Sequence, residues 1–444
     1  MPRLFLQTYG CQMNEHDSLK IASLMRSEGY ELTEDPSQAD CIILHTCSIR
    51  KKPEHKVYSF LGRLKHLKQK RPDLVIGIGG CVAQQEGKRL LERASHLDFV
   101  FGTHQIHRVP ELVRRSRDKR ERFCEVGFAA DPPSLHLCPG PAPHQVKAYL
   151  TIMQGCDNFC AYCIVPYVRG RERSRPPEEI LREARDLARK GVREVTLLGQ
   201  NVNSYGRGLS GYPTFPQLLE MLHDVEGIWR IRFTTSHPKD LSVELVETMA
   251  RLPKVCEHLH LPVQSGSTAV LERMRRGYTR EEYLERVRLL RRFIPQISLS
   301  TDIIVGFPGE EEDDFLQTLS LLEEVQYDGI YSFKFSPRPG TAAARITDTV
   351  AEEVKAERLA RVQDLQGSIT EAILKRSEGA VEEVLVEGPS PKGKGQVTGR
   401  TRTNRIVHFP GDPELLKGRL VHVRIVRGLK NSLLGQCVEE GAGM

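Results

Sequence analysis

No apolar run in the 444 residues approaches the roughly 20 residues that a bilayer-spanning helix needs. The start, Met1-Pro2-Arg3-Leu4-Phe5, passes directly into a strand pattern and has no hydrophobic core of the signal-peptide type. Membrane insertion and export are therefore not expected, and the chain is read as cytoplasmic. One sign of charge is hardly in excess: 64 Lys and Arg against 58 Asp and Glu give a formal +6, which by itself is only a solvated surface. The composition of a disordered or fibrous chain is also missing, with 39% hydrophobic and 27% charged residues. No nucleotide-binding glycine loop is complete. Gly77-Ile78-Gly79-Gly80 is a fragment, and its glycines are read as letting the backbone approach whatever Cys81 binds.

Cysteine is what the chain does have, 11 in all. In a reducing compartment, thiols at patterned spacing bind metal or do redox chemistry more often than they form disulfides. The length suggests two or three domains. Residues 3–118 alternate short apolar runs with amphipathic ones: Leu4–Thr8, Cys41–Thr46 and Leu74–Gly79 as strands, with helices over 15–28, 54–71 and after 81. That rhythm predicts a small parallel α/β domain over 1–118. Residues 119–142 lose the rhythm, and a cluster of prolines from Pro132 to Pro143 marks a linker. Strand candidates at 148–153, 193–199, 229–235, 256–262, 297–305 and 328–335 then predict a partial (β/α)6 barrel over 143–374. Short β-rich runs over 375–440 predict a small β-barrel of the kind that tracks RNA backbone, so the class is α/β with a β-barrel appended.

The sharpest local signal is Gly155-Cys156-Asp157-Asn158-Phe159-Cys160-Ala161-Tyr162-Cys163, placed just after the first barrel strand. Structural zinc needs four ligands, and no second cysteine pair follows at finger-like spacing. A cubane held by the three thiolates Cys156, Cys160 and Cys163 would leave one iron open for a cofactor or substrate. A second constellation lies in the first domain. Cys11, Cys47 and Cys81 each follow one of its strands, and the C-terminal ends of parallel strands share one sheet edge, where such sheets bind ligands. Cys41 lies about 20 Å of extended chain before Cys47 and is read as core. Any one of these thiols alone would be an ordinary buried cysteine.

The CxxxCxxC spacing, its strand placement and Tyr162 resemble the radical S-adenosylmethionine superfamily. With both triplets, the chain resembles the methylthiotransferases over nearly its whole length, and within them the group acting on dimethylallyladenosine in tRNA. Tyr9-Gly10-Cys11-Gln12-Met13-Asn14, Thr46-Cys47-Ser48-Ile49-Arg50, Gly80-Cys81-Val82-Ala83-Gln84, Val165–Glu172 and Gly399–Arg405 carry the likeness. His45 stands where the family is expected to have asparagine. The resemblance implies a radical domain, a C-terminal TRAM domain, and two 4Fe-4S clusters. Cys156, Cys160 and Cys163 would hold the radical cluster, and Cys11, Cys47 and Cys81 an auxiliary, sulfur-carrying one. It also implies S-adenosyl-L-methionine as methyl donor and radical source, methylthiolation at C2 of the prenylated adenine at tRNA position 37, an electron donor protein and a sulfur and cluster supply system. A monomer is expected.

Ligands of barrels of this type sit at the C-terminal face. The candidates for S-adenosylmethionine contacts are therefore Tyr162, Gly199, Gln200, Asn201, Ser236, Gln264, Ser265, Thr301 and Asp302, with His237 a strand-end polar group beside them. Arg169, Arg171, Arg173 and Arg175 alternate after the cluster loop, which in an extended segment would aim them one way, toward phosphates or carboxylates. Between Lys392 and Lys430 ten Lys or Arg face two acids, and Lys392, Lys394, Arg400, Arg402 and Arg405 are expected to meet tRNA phosphates. Two rivals stand beside this reading. One is a methylthiotransferase for threonylcarbamoyl-adenosine or a ribosomal protein, which Gln12-Met13-Asn14 and Val165-Pro166-Tyr167 disfavour. The other is a non-catalytic iron-sulfur RNA-binding sensor, which would cleave no cofactor.

Overall fold

The computed structural model describes residues 1–48, 51–141 and 144–438, so Ile49, Arg50 and Pro143 lie outside the described residues. The first strands are β1 (Arg3–Thr8), β2 (Glu31–Leu32), β3 (Cys41–Thr46), β4 (Val75–Gly80), β5 (Phe99–Phe101) and β6 (Phe123–Glu125). They form one parallel sheet in the order β2-β1-β3-β4-β5-β6. Helices cover both faces of a central parallel strand, so β3 and β4 are buried at every position. This is why β3 reads as a continuous apolar run and shows no alternation. Helix α1 (Gln12–Ser27) follows β1, α2 (Lys51–Lys70) follows β3, and α3 (Cys81–Glu86) follows β4.

The expected linker is not featureless. Its residues Phe123–Glu125 pair with β5 as the sheet's edge strand, and a short turn at Pro133–His136 then leads toward the barrel. This strand is only three residues long, too short for a periodic signal in sequence.

The barrel strands are β7 (Lys147–Thr151), β10 (Glu194–Leu198), β11 (Arg230–Phe233), β12 (His258–His260), β13 (Ser298–Val305) and β14 (Gly329–Lys334), with a small ribbon of β8 (Met153–Gln154) and β9 (Arg173–Ser174) beside the cluster loop. They make two parallel three-stranded sheets, β11-β10-β7 and β12-β13-β14, joined by a bridge between Ile231 and Val255. Among the described residues β7 and β14 do not pair, which leaves the wall open on one side. Helix α1 lies against that edge: Tyr149 donates to Glu15 (3.2 Å), and Thr151 Oγ1 is 2.7 Å from His16 Nδ1. Outward residues such as Leu150, Val195, Ile231, Leu259 and Ile303 are buried under the surrounding helices. Each contributes about 1.5–3 kcal/mol of burial, so the helices pin the wall from outside.

The helix Glu352–Arg376 leads to β15 (Val381–Pro389), β16 (Gln396–Thr401), β17 (Ile406–Pro410), β18 (Leu420–Gly428) and β19 (Leu433–Cys437). These close into a barrel in the order β15-β16-β17-β19-β18 around Val384, Val397, Phe409 and Ile425.

Candidate iron-sulfur active site

Register brings the first triplet together. Thr8 pairs with His45 and Thr46 with Gly80, so the residues that follow these strand ends share one edge. Close backbone approach does the rest. A Cβ on Gly10 would lie 2.7 Å from Cys47 Cβ, and one on Gly80 2.3 Å from the Thr46 carbonyl. Asn14 locks the arrangement by donating to that same carbonyl (2.9 Å) while its Oδ1 lies 3.3 Å from Cys11 Sγ. Cys47 and Cys81 are buried. Hydrogen bonding with Cys47 lowers the Cys11 thiol, against burial and with help from Arg169, which favours a thiolate in this pair. By contrast, burial raises Cys81. Gly77 and Gly79 serve a different end from the one expected. A Cβ at either would strike the Phe99 or Phe101 ring, at 2.3 and 2.1 Å, so these glycines make room for core aromatics.

The second triplet sits on a loop held between β8 and the ribbon strand β9. Cys156 N–H donates to the Gly170 carbonyl (3.3 Å) and Cys163 N–H to the Cys160 carbonyl (3.0 Å). Burial pushes the Cys156 thiol up to about 11 and the Cys163 thiol up to about 12. A dry thiol site of this kind favours ionisation only when a cation takes the proton's place. Arg276 supplies part of that charge, donating to Cys160 Sγ (3.3 Å), to the Tyr162 hydroxyl (3.3 Å) and to the Pro262 carbonyl (2.6 Å). His237 Nε2 is 3.8 Å from Cys160 Sγ, and burial lowers its pKa far enough to keep the ring neutral. Among the described residues no three His, Cys, Asp or Glu side chains close around a single ion. Three thiols at each site are the donor set of a cubane that leaves one iron open.

A cavity of about 310 Å3 joins the two regions: Cys11, Gln12 and Met13 line it from the first domain, and Cys156, Cys160 and Cys163 from the barrel. Among the expected cofactor contacts, Tyr162, Gly199, Gln200, Ser236, Gln264 and Asp302 line it. Gln200 Oε1 accepts from Gly155 N–H (2.5 Å), tying the β10 end to the cluster loop. Thr235 and Gln264 hold positive φ, 70° and 80°, and both line the cavity, as residues held by a site rather than by preference.

Three expected contacts face elsewhere. Asn201 donates to Asp240 (2.7 Å) and accepts from His237 N–H (3.1 Å), so it orients His237 from behind. The Ser265 hydroxyl is 3.4 Å from Thr318 Oγ1. Thr301 accepts from Val263 N–H and donates to the Leu261 carbonyl, both at 2.9 Å. Inward and outward residues alternate along a strand, and a motif window two to five residues long unavoidably includes both.

The expected arginines find partners within the chain, whereas Lys392 and Lys394 stay exposed. Only Arg173 of the four alternating arginines lies in a strand, a ribbon two residues long. Arg169 and Arg175 are buried on Asp17 and Glu183, Arg171 pairs with Asp157, and Arg173 caps the Ala130 carbonyl. In the C-terminal barrel, Arg402 grips Glu257 of the central barrel and Arg405 grips Asp328, each at 2.7 Å, while Arg400 pairs with Glu387. Arg230 and Arg232 answer from β11, donating to the Arg400, Thr401 and Arg402 carbonyls at 2.7–2.8 Å. The Gly399–Arg405 stretch is thus an intramolecular dock. Lys392 donates to Ser432 (2.7 Å), and the exposed cations are Lys392, Lys394, Lys417, Arg419, Arg424, Arg427 and Lys430. Sequence reasoning missed Arg276 entirely: a lone arginine carries no signal until the fold sets it beside Cys160.

Residues 150–322 match the radical SAM superfamily, residues 3–102 the uncharacterized protein family UPF0004, and residues 375–438 the TRAM domain. The chain is 56% identical over 434 residues to the tRNA-2-methylthio-N6-dimethylallyladenosine synthase of Geobacter metallireducens, covering 98% of each chain. It is 51% identical to that of Carboxydothermus hydrogenoformans, covering 96% of each. Among solved structures, the radical S-adenosylmethionine methyltransferase TsrM from Kitasatospora setae aligns at a TM-score of 0.56 and 12% identity, over 88% of this chain and 79% of that one. The cobalamin-dependent radical enzyme OxsB aligns at 0.51 and 16%, over 82% of this chain and 56% of that one; both likenesses are of fold. Full-length identity above half, on top of a cavity lined by Cys11 of one triplet and all three cysteines of the other, places this chain in the tRNA-2-methylthio-N6-dimethylallyladenosine synthase family of radical S-adenosylmethionine methylthiotransferases.

Proposed function

We infer that the protein adds a methylthio group at C2 of N6-(dimethylallyl)adenosine at position 37 of tRNA, and that its two cysteine triplets divide the labour. The observation that carries this reading is the shared cavity, with Cys11 on one wall and Cys156, Cys160 and Cys163 on the other. A 4Fe-4S cluster with S-adenosylmethionine supplies a 5′-deoxyadenosyl radical when bound, and an auxiliary cluster supplies sulfur.

The chain's own residues do the rest. Cys156, Cys160 and Cys163 hold the radical cluster, with Arg276 and neutral His237 closing its protein side against water. Gly199, Gln200, Ser236, Gln264 and Asp302 surround the cofactor from the later strand ends. Cys11, Cys47 and Cys81 hold the auxiliary cluster, and the cavity between Cys11 and the radical triplet receives the target base. The exposed cations of the C-terminal barrel take tRNA phosphates. An electron donor protein and a sulfur and cluster supply system complete the cycle in the cytoplasm; no described helix is long and apolar enough to cross a membrane.

The test offers the reconstituted protein, under reductant, two tRNAs: one carrying dimethylallyladenosine and one carrying threonylcarbamoyl-adenosine. Methylthiolation of the first alone is the expected result. Methylthiolation of the second would move the protein to the rival branch.

A further inference from the structure

Arg169 begins in the barrel and ends in the first domain. Its N–H donates to the Val165 carbonyl (2.8 Å), and its own carbonyl accepts from His104 (3.0 Å), while Thr103 donates to the Val168 carbonyl (2.6 Å). Two residues of the first domain thus fix this short turn, and the side chain runs on to Asp17, where Nη1 donates to Oδ2 at 2.6 Å. Both side chains are 3% exposed. Its Nη2 is buried and makes no hydrogen bond within the described residues.

Asp17 also serves Lys20, whose Nζ lies 3.8 Å away and is 1% exposed, while Arg175 pairs with Glu183 and Glu179. Asp17 engages only Nη1 of the Arg169 guanidinium, whose other charged neighbours are Cys81 and Cys11. A buried donor left unmade is costly, and a cubane of charge about 2+ on three thiolates carries a net charge near −1, an anionic acceptor for it.

The geometry points to Arg169 as the residue that holds the auxiliary site's anionic sulfur: its free Nη2 donates to a thiolate or sulfide of the group bound by Cys11, Cys47 and Cys81. It is a positioning residue supplied by the radical domain, so the sulfur-bearing site is complete only when the two domains are docked. This rests on the reading that those three cysteines hold a cluster.

The test uses the full chain with Cys156, Cys160 and Cys163 changed to alanine, which leaves the auxiliary triplet alone. Iron content and an electron-paramagnetic-resonance redox titration are compared for Arg169, Arg169→Lys, Arg169→Gln and Asp17→Asn. Removing the cation in Arg169→Gln is expected to make the cluster harder to reduce. The shift is at least about tenfold in the reduced-to-oxidised ratio, or about 59 mV for one electron, with altered g-values. Arg169→Lys, which keeps the charge, should recover most of the shift. Asp17→Asn should shift the ratio the opposite way, a reversal that a purely structural role would not produce. If Arg169→Gln loses its cluster, the Asp17→Asn shift decides: upward supports the proposal, and zero or downward overturns it. An unchanged potential and spectrum in cluster-replete Arg169→Gln also overturns it. Absence of any cluster with Arg169 intact overturns the auxiliary-cluster reading itself.

Discussion

Gly80→Ala should separate the two halves of the reaction. Gly80 sits between β4 and α3 at φ 92° and ψ −159°, a region essentially confined to glycine and costing another residue about 1–3 kcal/mol. Its added Cβ would lie 2.3 Å from the Thr46 carbonyl and 2.9 Å from Thr46 N. Reaching ordinary contact moves the Thr46 backbone by about 1 Å, and Thr46 carries Cys47. That movement also breaks the Thr46 hydroxyl's bond to the Gly79 carbonyl (2.6 Å), worth about 1 kcal/mol. A total near 3 kcal/mol is tolerable against a typical stability of about 5–15 kcal/mol, so the variant folds with a misplaced auxiliary ligand. After anaerobic reconstitution, iron should fall by about half and 5′-deoxyadenosine formation should stay near wild type. Methylthio product should fall at least about tenfold, since a 1 Å misplacement can cost about a hundredfold. Full iron with full product would refute the packing argument, and an equal loss of radical cleavage would refute the separation of the sites.

Four further outcomes follow from the contacts described. Cys160→Ala should abolish 5′-deoxyadenosine formation while leaving the auxiliary cluster's spectrum in place; persistence of the deoxyadenosine would remove Cys156, Cys160 and Cys163 from the radical role. Glu257→Gln should weaken the dock of the C-terminal barrel by about 2 kcal/mol, the scale of a charge-assisted hydrogen bond. Limited proteolysis near residue 377 should then accelerate, and unchanged cleavage would argue that the Arg402 contact is idle. Arg424→Gln and Lys430→Gln should each flatten the salt dependence of tRNA binding by about one unit of slope, whereas Arg402→Gln should not. Burial works against the charged form of His136, but Glu179 and Asp131 outweigh it and raise the pKa. Its contribution is therefore full below the ordinary histidine value of about 6.5 and lost as pH rises through the raised folded value. Thermal melts across that window should show the loss in wild type and not in His136→Gln.

Much of the fold was legible because its signals are local. Five of the six barrel strands fall within the windows read from hydrophobic rhythm, β7 begins one residue before its window, and β3 spans the residues expected of it. Both cysteine triplets were legible for different reasons: one is a contiguous motif, the other repeats a position at three strand ends. What sequence could not give is which way a side chain faces and what meets it. Thr301 and Asp302 are neighbours on β13, yet only Asp302 reaches the cavity. Arg402 and Arg424 look alike in a basic segment, but Arg402 is consumed by Glu257, 145 positions away, and Arg424 stays exposed. Arg276 and Arg169 acquire their roles only from long-range packing, beside Cys160 and Asp17.

The central claim is that two cysteine triplets of one chain perform different steps at one cavity. Its most direct test is an anaerobic reaction with prenylated tRNA, in which 5′-deoxyadenosine and the methylthiolated nucleoside are measured side by side for wild type and Cys81→Ala. The account predicts deoxyadenosine from both proteins and the methylthiolated nucleoside from wild type alone. Methylthiolated nucleoside from Cys81→Ala, or no deoxyadenosine from it, would contradict the division of labour.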